Sequence, residues 1–173
     1  TLFRSDATLA AIETADVVIA AVNPNVPRCW GDAMISINDI DIFVEDDIPL
    51  YAHAFAPLTE TEIAIGKNVA ALVDDGACLQ MGIGGIPNAV LAQLGNHKDL
   101  GVHTEMFSDG ILPLVEKGIV TGKHKSIDKG KMVASFLMGT KALYDFVDDN
   151  PLVAMMDVGH TNNVAVIRKL DKV

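Results

Sequence analysis

The chain has 173 residues, half of them hydrophobic and 21% charged, which is enough apolar material for one core or for parts of two domains. Its formal net charge of -10 argues against nucleic acid or an anionic membrane as partner, since both reward basic surfaces. Cys29 and Cys78 lack CxxC spacing, which argues against a disulfide framework or a zinc ribbon, and both read as buried free thiols.

No run of about 18 uninterrupted apolar residues occurs, and no basic-then-apolar leader opens the chain, so a soluble, cytoplasmic protein is expected. The first residue is Thr1 rather than Met, so the sequence reads as starting inside an element of a longer protein. From there, Ala15 to Val22 (ADVVIAAV) is a short β-rich run ending at Asn23-Pro24-Asn25, the pattern of a buried parallel strand and a turn. Ile40 to Val44 repeats the signal. Residues 46 to 59 carry Pro49 and Pro57 without periodicity and read as a connection, which places a domain boundary between residues 55 and 56.

Thr59 with Glu62 three residues on is a capping box, and it opens a helix whose apolar face is Ile63, Val69 and Leu72 and whose stop is Gly76. Cys78 to Met81 reads as a strand, Gly82 to Ile86 as a glycine loop, and Pro87 as the first turn of a helix running to Leu94. Further on come strands over Val102–Phe107, Val133–Leu137 and Val153–Val158, alternating with helices over Ile111–Lys117 and Lys141–Val147. Such alternation predicts an α/β fold with a mainly parallel sheet flanked by helices.

Two features could carry chemistry. Gly82-Ile83-Gly84-Gly85 lies between a strand and a helix, where glycines let backbone amides approach an anion. Its spacing fits neither the dinucleotide fingerprint nor a phosphate-binding loop, and a tight turn needing positive φ is the other reading. The second feature is Glu105 inside a short apolar strand, where a carboxylate is uncommon without a partner or a task. A surface-paired strand-edge glutamate is the alternative.

His103 nearby raises acid-base and metal readings, but one His with one Glu falls short of the ligands a catalytic metal needs, so no metal is expected. His53, His97, His124 and His160 are scattered and read as loop or surface residues. Ser108 sits in no nucleophile elbow. The acidic run at 145–149 reads as a solvated helix end.

Taken together, LQMGIGGIPNAVLAQL at 79–94, HTEMFSDGI at 103–111 and GKMVASFLMGTKALYDFVDDNP at 130–151 resemble the acetyl-CoA hydrolase/transferase family, near its 4-hydroxybutyrate and butyrate CoA-transferases. VNPNVPRCWGDAMI at 22–35 and IDIFVEDDIPL at 40–50 extend the resemblance over nearly the whole chain. It implies a two-domain enzyme of more than twice this length. Residues 1–55 would end the N-terminal domain and 56–173 would begin the C-terminal one. It also implies Glu105 as nucleophile and Asn162 as the asparagine that helps hold the carbonyl oxygen. Substrate and CoA would be bound by Gln80, Met81, Gly82, Ile83, Gly84, Gly85, Met106, Asp109 and Gly110. No permanent cofactor is implied, coenzyme A being a substrate, and a homo-oligomer, dimer or tetramer, is expected.

Three activities stand open on these residues: CoA transfer from an acyl-CoA to a carboxylate, hydrolysis of the same thioester, and an inactive binding module of the fold. Apolar Met81, Ile83, Met106 and Phe107 favour an acetyl, butyryl or 4-hydroxybutyryl group over succinyl, which would call for a local Arg.

Overall fold

A computed structural model describes residues 7–53 and 56–172. It begins with a short helix α1 (Thr8–Thr14), then the strands β1 (Ile19–Val22), β2 (Trp30–Gly31) and β3 (Ile42–Glu45). Helix α2 (Glu60–Ala70) follows, then β4 (Cys78–Leu79), α3 (Gly85–Gln93), β5 (Gly101–His103), β6 (Met106–Phe107) and α4 (Leu112–Glu116). The last stretch runs β7 (Met132–Ala134), β8 (Phe136–Leu137), α5 (Lys141–Val147), β9 (Val153–Met155), α6 (Val158–Thr161) and α7 (Val164–Ile167). Five strands form one parallel sheet in the order β2-β9-β7-β5-β4. Its central strands β5 and β7 are buried at every residue, as strands covered on both faces must be. The core runs through Leu94, Leu100, Phe107, Ile111, Leu137 and Leu143, all nearly inaccessible, and each such side chain contributes about 1.5–3 kcal/mol of burial energy.

The expected capping box is present. Thr59 Oγ1 accepts from the Glu62 amide at 3.2 Å, and the Glu62 carboxylate accepts from the Thr59 amide at 2.7 Å. Helix α2 nevertheless ends at Ala70, six residues before Gly76, whose positive φ of +77° serves a later turn that leads into β4. Pro87 falls in the first turn of α3 as expected, with the helix starting two residues earlier at Gly85.

Two expected strands are bent in the middle. The run over 102–107 divides into β5 and β6, and the run over 133–137 into β7 and β8, with β6 and β8 forming a small parallel sheet of their own. Register survives the bend: Val102 faces Met132 before it and Met106 faces Phe136 after it, the same offset. Both strands therefore turn together, with no inserted residue. Beyond β9 the expected strand also stops early, because Val158 already opens α6 under the Asp157 cap.

The first predicted strand is a strand, and β1 pairs with β3 in parallel, but it is not buried. Ile19 is 63% exposed and Phe43 51%. Two strands make one layer, and α1 contributes no buried residue to cover it. The connection that follows is anchored rather than loose: Tyr144 Oη donates to the Tyr51 carbonyl at 2.8 Å and the His53 amide donates to Gly139 O at 2.9 Å. The acidic run at 145–149 also holds structure. Asp148 accepts the Arg28 amide at 2.8 Å, and the Asp149 amide donates to Arg28 O at 2.8 Å, which fastens the segment leading into β2.

Candidate active site

The bend between β5 and β6 is where the candidate site is built. Thr104, fully buried, accepts the Met81 amide on Oγ1 at 3.0 Å and donates from the same oxygen to Met81 O at 3.0 Å. One hydroxyl thus ties the start of the glycine loop to the residue before Glu105. Glu105 is pinned through its main chain, its carbonyl accepting the amides of Ser135 at 2.8 Å and Phe136 at 3.0 Å, while its side chain is exposed. That carboxylate accepts a hydrogen bond from Asn162 Nδ2 at 2.7 Å. The two residues assigned to catalysis by resemblance, 57 positions apart in the chain, are therefore in direct contact.

The glycine loop opens from the same level. Gln80, Met81 and Gly82 line, with Val69, Pro87 and Val90, an open apolar trough of about 210 Å3. Gly84 has φ +115°, which only glycine adopts readily, so the tight-turn reading accounts for it. Gly85 is required for a different reason, since a Cβ there would lie 1.8 Å from Glu62 Oε1, the carboxylate of the α2 capping box. Ile83, between these glycines, is 64% exposed.

The remaining residues carried over from the resemblance are placed less openly. Met106 is buried opposite Phe136. Asp109 spends its carboxylate on Thr140, accepting both the amide and the hydroxyl and so fixing the start of α5. Gly110 backs onto α3, where a Cβ would meet Leu91 Cδ1 at 2.8 Å.

Behind Glu105 lies a polar layer that no spacing in the sequence announces. His103 is 3% exposed, with Nε2 at 3.1 Å from the Thr161 carbonyl and Nδ1 buried without a partner among the described residues. A carbonyl can only accept, so Nε2 carries the proton and Nδ1 the lone pair. Burial, reinforced by the nearby Lys125 charge, pushes the His103 pKa below the ordinary 6.5. Thr161, also buried, hydrogen-bonds Ser135 through the two hydroxyls. Lys125 reaches the layer from the β5–β7 connection and donates to Val102 O at 2.9 Å and Lys131 O at 2.8 Å.

His160, read from sequence as an isolated loop histidine, pairs with Asp128 at 2.9 Å, and ligand atoms of His103, Asp128 and His160 lie within 4.8 Å of one another. Sequence spacing thus missed a three-donor cluster. Asp128 pairs with His160 in it, and Lys125 brings a positive charge close enough to help depress the His103 pKa. Cys78 and Cys29 are free, buried thiols with pKa values pushed up to about 11, chiefly by burial, which makes both poor nucleophiles at neutral pH.

Among the described residues no helix is long and apolar enough to cross a membrane. No family model matches the chain. It is 50% identical over 167 residues to the 4-hydroxybutyrate coenzyme A transferase of Clostridium kluyveri, a match covering 96% of this chain and 39% of that protein. It is 45% identical over 168 residues to a succinyl-CoA:acetate/propanoyl-CoA:succinate CoA transferase of Fasciola hepatica, covering 96% and 35%. The crystal structure of 4-hydroxybutyrate CoA-transferase from Porphyromonas gingivalis superposes with a TM-score of 0.94 at 44% identity, over 99% of this chain and 44% of that one. The chain thus spans 35–44% of the length of these proteins. In sequence and in its α/β fold, it is homologous to a segment of the CoA-transferases that its motifs resemble.

Proposed function

We propose that the protein carrying this chain transfers coenzyme A between a short-chain acyl-CoA and a carboxylate such as acetate, butyrate or 4-hydroxybutyrate, with Glu105 as nucleophile. The observation that carries the reading is the exposed Glu105 carboxylate at the strand bend, held by Asn162 Nδ2 at 2.7 Å.

The chemistry runs through covalent intermediates. A Glu105 oxygen attacks the thioester carbonyl, the C–S bond breaks, and CoA leaves as thiolate from an acyl-glutamyl anhydride. The thiolate then attacks the glutamyl carbonyl, releasing the first carboxylate and leaving a glutamyl-CoA thioester. An acceptor carboxylate reverses both steps. Each attack places negative charge on a carbonyl oxygen, and the Asn162 amide, already aimed at the Glu105 oxygens, is the donor that meets it. One such donor is worth about 3–4 kcal/mol. Gln80 to Gly85, with Met106, Asp109 and Gly110, are proposed to border the acyl and CoA groups, a reading supported by the apolar trough that Gln80, Met81 and Gly82 line.

A division of the chain at residues 55 and 56 belongs to the same reading. The separate pairing of β1 with β3 supports it, whereas Trp30–Gly31 joins the large sheet. Residues 54 and 55 at that boundary lie outside those described. A homo-oligomer, dimer or tetramer, is proposed as its working form.

The test is initial-rate kinetics on the natural full-length protein with butyryl-CoA and acetate. Parallel double-reciprocal lines are expected, with no thiol release when the carboxylate is omitted. Thiol release at the full rate without acceptor would make it a hydrolase, and turnover of neither kind would leave a binding module. Succinyl-CoA, named in the Fasciola relative, is expected to be the poorer donor.

A further inference from the structure

Glu105 and Asn162 are both exposed, and Asn162 sits at the end of a four-residue helix, α6, with a second four-residue helix following. Such short helices hold a side chain poorly on their own. What fixes Asn162 is the residue before it. Thr161 is 1% exposed and is gripped twice, its hydroxyl by Ser135 and its carbonyl by His103 Nε2 at 3.1 Å. Both gripping residues are fastened to the strand bend that carries Glu105: His103 ends β5, and Ser135, at the neighbouring β7–β8 bend, donates its amide to Glu105 O at 2.8 Å. The contacts therefore close a ring. It passes from the Glu105 carbonyl to Ser135, across to Thr161, along the chain to Asn162, and back to the Glu105 carboxylate. His103 is a second strut across it.

We infer that His103, Ser135 and Thr161 are positioning residues, which set where the Asn162 amide stands relative to Glu105 and touch no substrate themselves. The inference rests on the CoA-transfer reading for its kinetic consequence, though the ring itself is a matter of geometry. Three features support it. His103 has the proton on Nε2, the atom facing Thr161 O. The groups facing the imidazole are Lys125, His160 and Asp128, of which Lys125 and His160 oppose a second proton on the ring and Asp128 favours it. Buried hydrogen-bond networks of this kind hold geometry when every member is in place and lose it when one is removed.

The experiment uses the full-length protein and a double-mutant design. His103→Leu and Ser135→Ala are each expected to lower kcat by between about ten- and a hundredfold, the scale of a ~1 Å misplacement, while KM for acyl-CoA stays within about twofold. His103→Gln, whose amide nitrogen stands near the position of Nε2, is expected to recover most of the loss. In an Asn162→Ala background the same substitutions are expected to cost nothing further, because they act only through Asn162. Equal losses in both backgrounds, or a Gln variant as impaired as the Leu variant, would overturn the inference. If the wild-type protein transfers no CoA, the functional reading has failed, and the ring is judged by the Asn162 side-chain amide signals in NMR. A shift to free-amide positions in His103→Leu but not in His103→Gln supports the ring, and unchanged positions in both refute it.

Discussion

Two neighbouring strands bend at the same level and in register, yet they put opposite groups at the bend. On the β5–β6 strand the turning residue is Glu105, with its carboxylate exposed and its carbonyl fixed by two amides. On the β7–β8 strand it is Ser135, fully buried, with its hydroxyl on Thr161. Each bend needs the other: Ser135 supplies one of the amides that pin Glu105, and the layer Ser135 belongs to carries Asn162 round to the carboxylate. The pair shows that a carboxylate can be exposed and still be held firmly, because the holding is done by backbone and by the buried strand beside it. That is the arrangement pre-organised catalysis calls for, a supported group on regular elements rather than on a free loop.

Substitution at the exposed bend is expected to give the largest effect. Glu105→Gln keeps size and hydrogen bonding but removes the proposed nucleophile, so kcat is expected to fall by on the order of 10³-fold or more, with the melting temperature nearly unchanged because the side chain is exposed. Glu105→Asp withdraws the carboxylate by one methylene and is expected to cost about 10²-fold. Retained transfer in the Gln variant, with reversion by deamidation excluded by mass, would reduce Glu105 to a structural acid and erase the contrast between the bends.

The buried side of the comparison is sharpened by pH. Burial first, then Lys125, holds the His103 pKa below 6.5, with Asp128 and His160 the other groups facing it. Between the folded and unfolded pKa values the unfolded chain binds more protons, so stability rises with pH there. The contribution is complete above 6.5 and is lost as pH falls toward the depressed value. Melting temperature against pH should therefore drop on the acid side in the wild type and drop less in His103→Gln; equal slopes would mean that His103 is not buried as a neutral imidazole.

A smaller effect is expected in the glycine loop. Gly84→Ala forces a Cβ onto φ +115° and should destabilise by about 1–2 kcal/mol in urea, even though none of the described residues lies within 4 Å of that Cβ. No loss would mean that the loop relaxes away from this conformation.

Much of this architecture is legible in the residues. Helix α5 runs over Lys141–Val147 as its pattern indicates, and the Thr59–Glu62 box starts α2. Apolar runs also mark β1 and β3, yet say nothing of what covers them, because burial is decided by neighbours that local pattern does not encode. The strand bends were invisible for a related reason: VASFL and VHTEMF are as β-prone through the bend as beside it. Of the site, Glu105 and the glycine loop stand out in the residues themselves, as an acid in an apolar strand and as glycines between a strand and a helix, while their roles and Asn162 came from motif resemblance. Ser135, Thr161, Asp128 and His160 had no signal at all, since parallel crossovers bring them together from distant stretches of chain, and nothing in the sequence pairs Asp109 with Thr140.

The proposed role of Glu105 as a covalent nucleophile is tested most directly by trapping. The full-length protein is mixed with butyryl-CoA and borohydride, which reduces a glutamyl thioester to an alcohol, and the peptides are then weighed. The expected result is a reduced Glu105 in the peptide spanning 103–111, formed only when acyl-CoA is present and absent from Glu105→Gln. Ongoing CoA transfer with that peptide unmodified, or with the reduction at another residue, would contradict it.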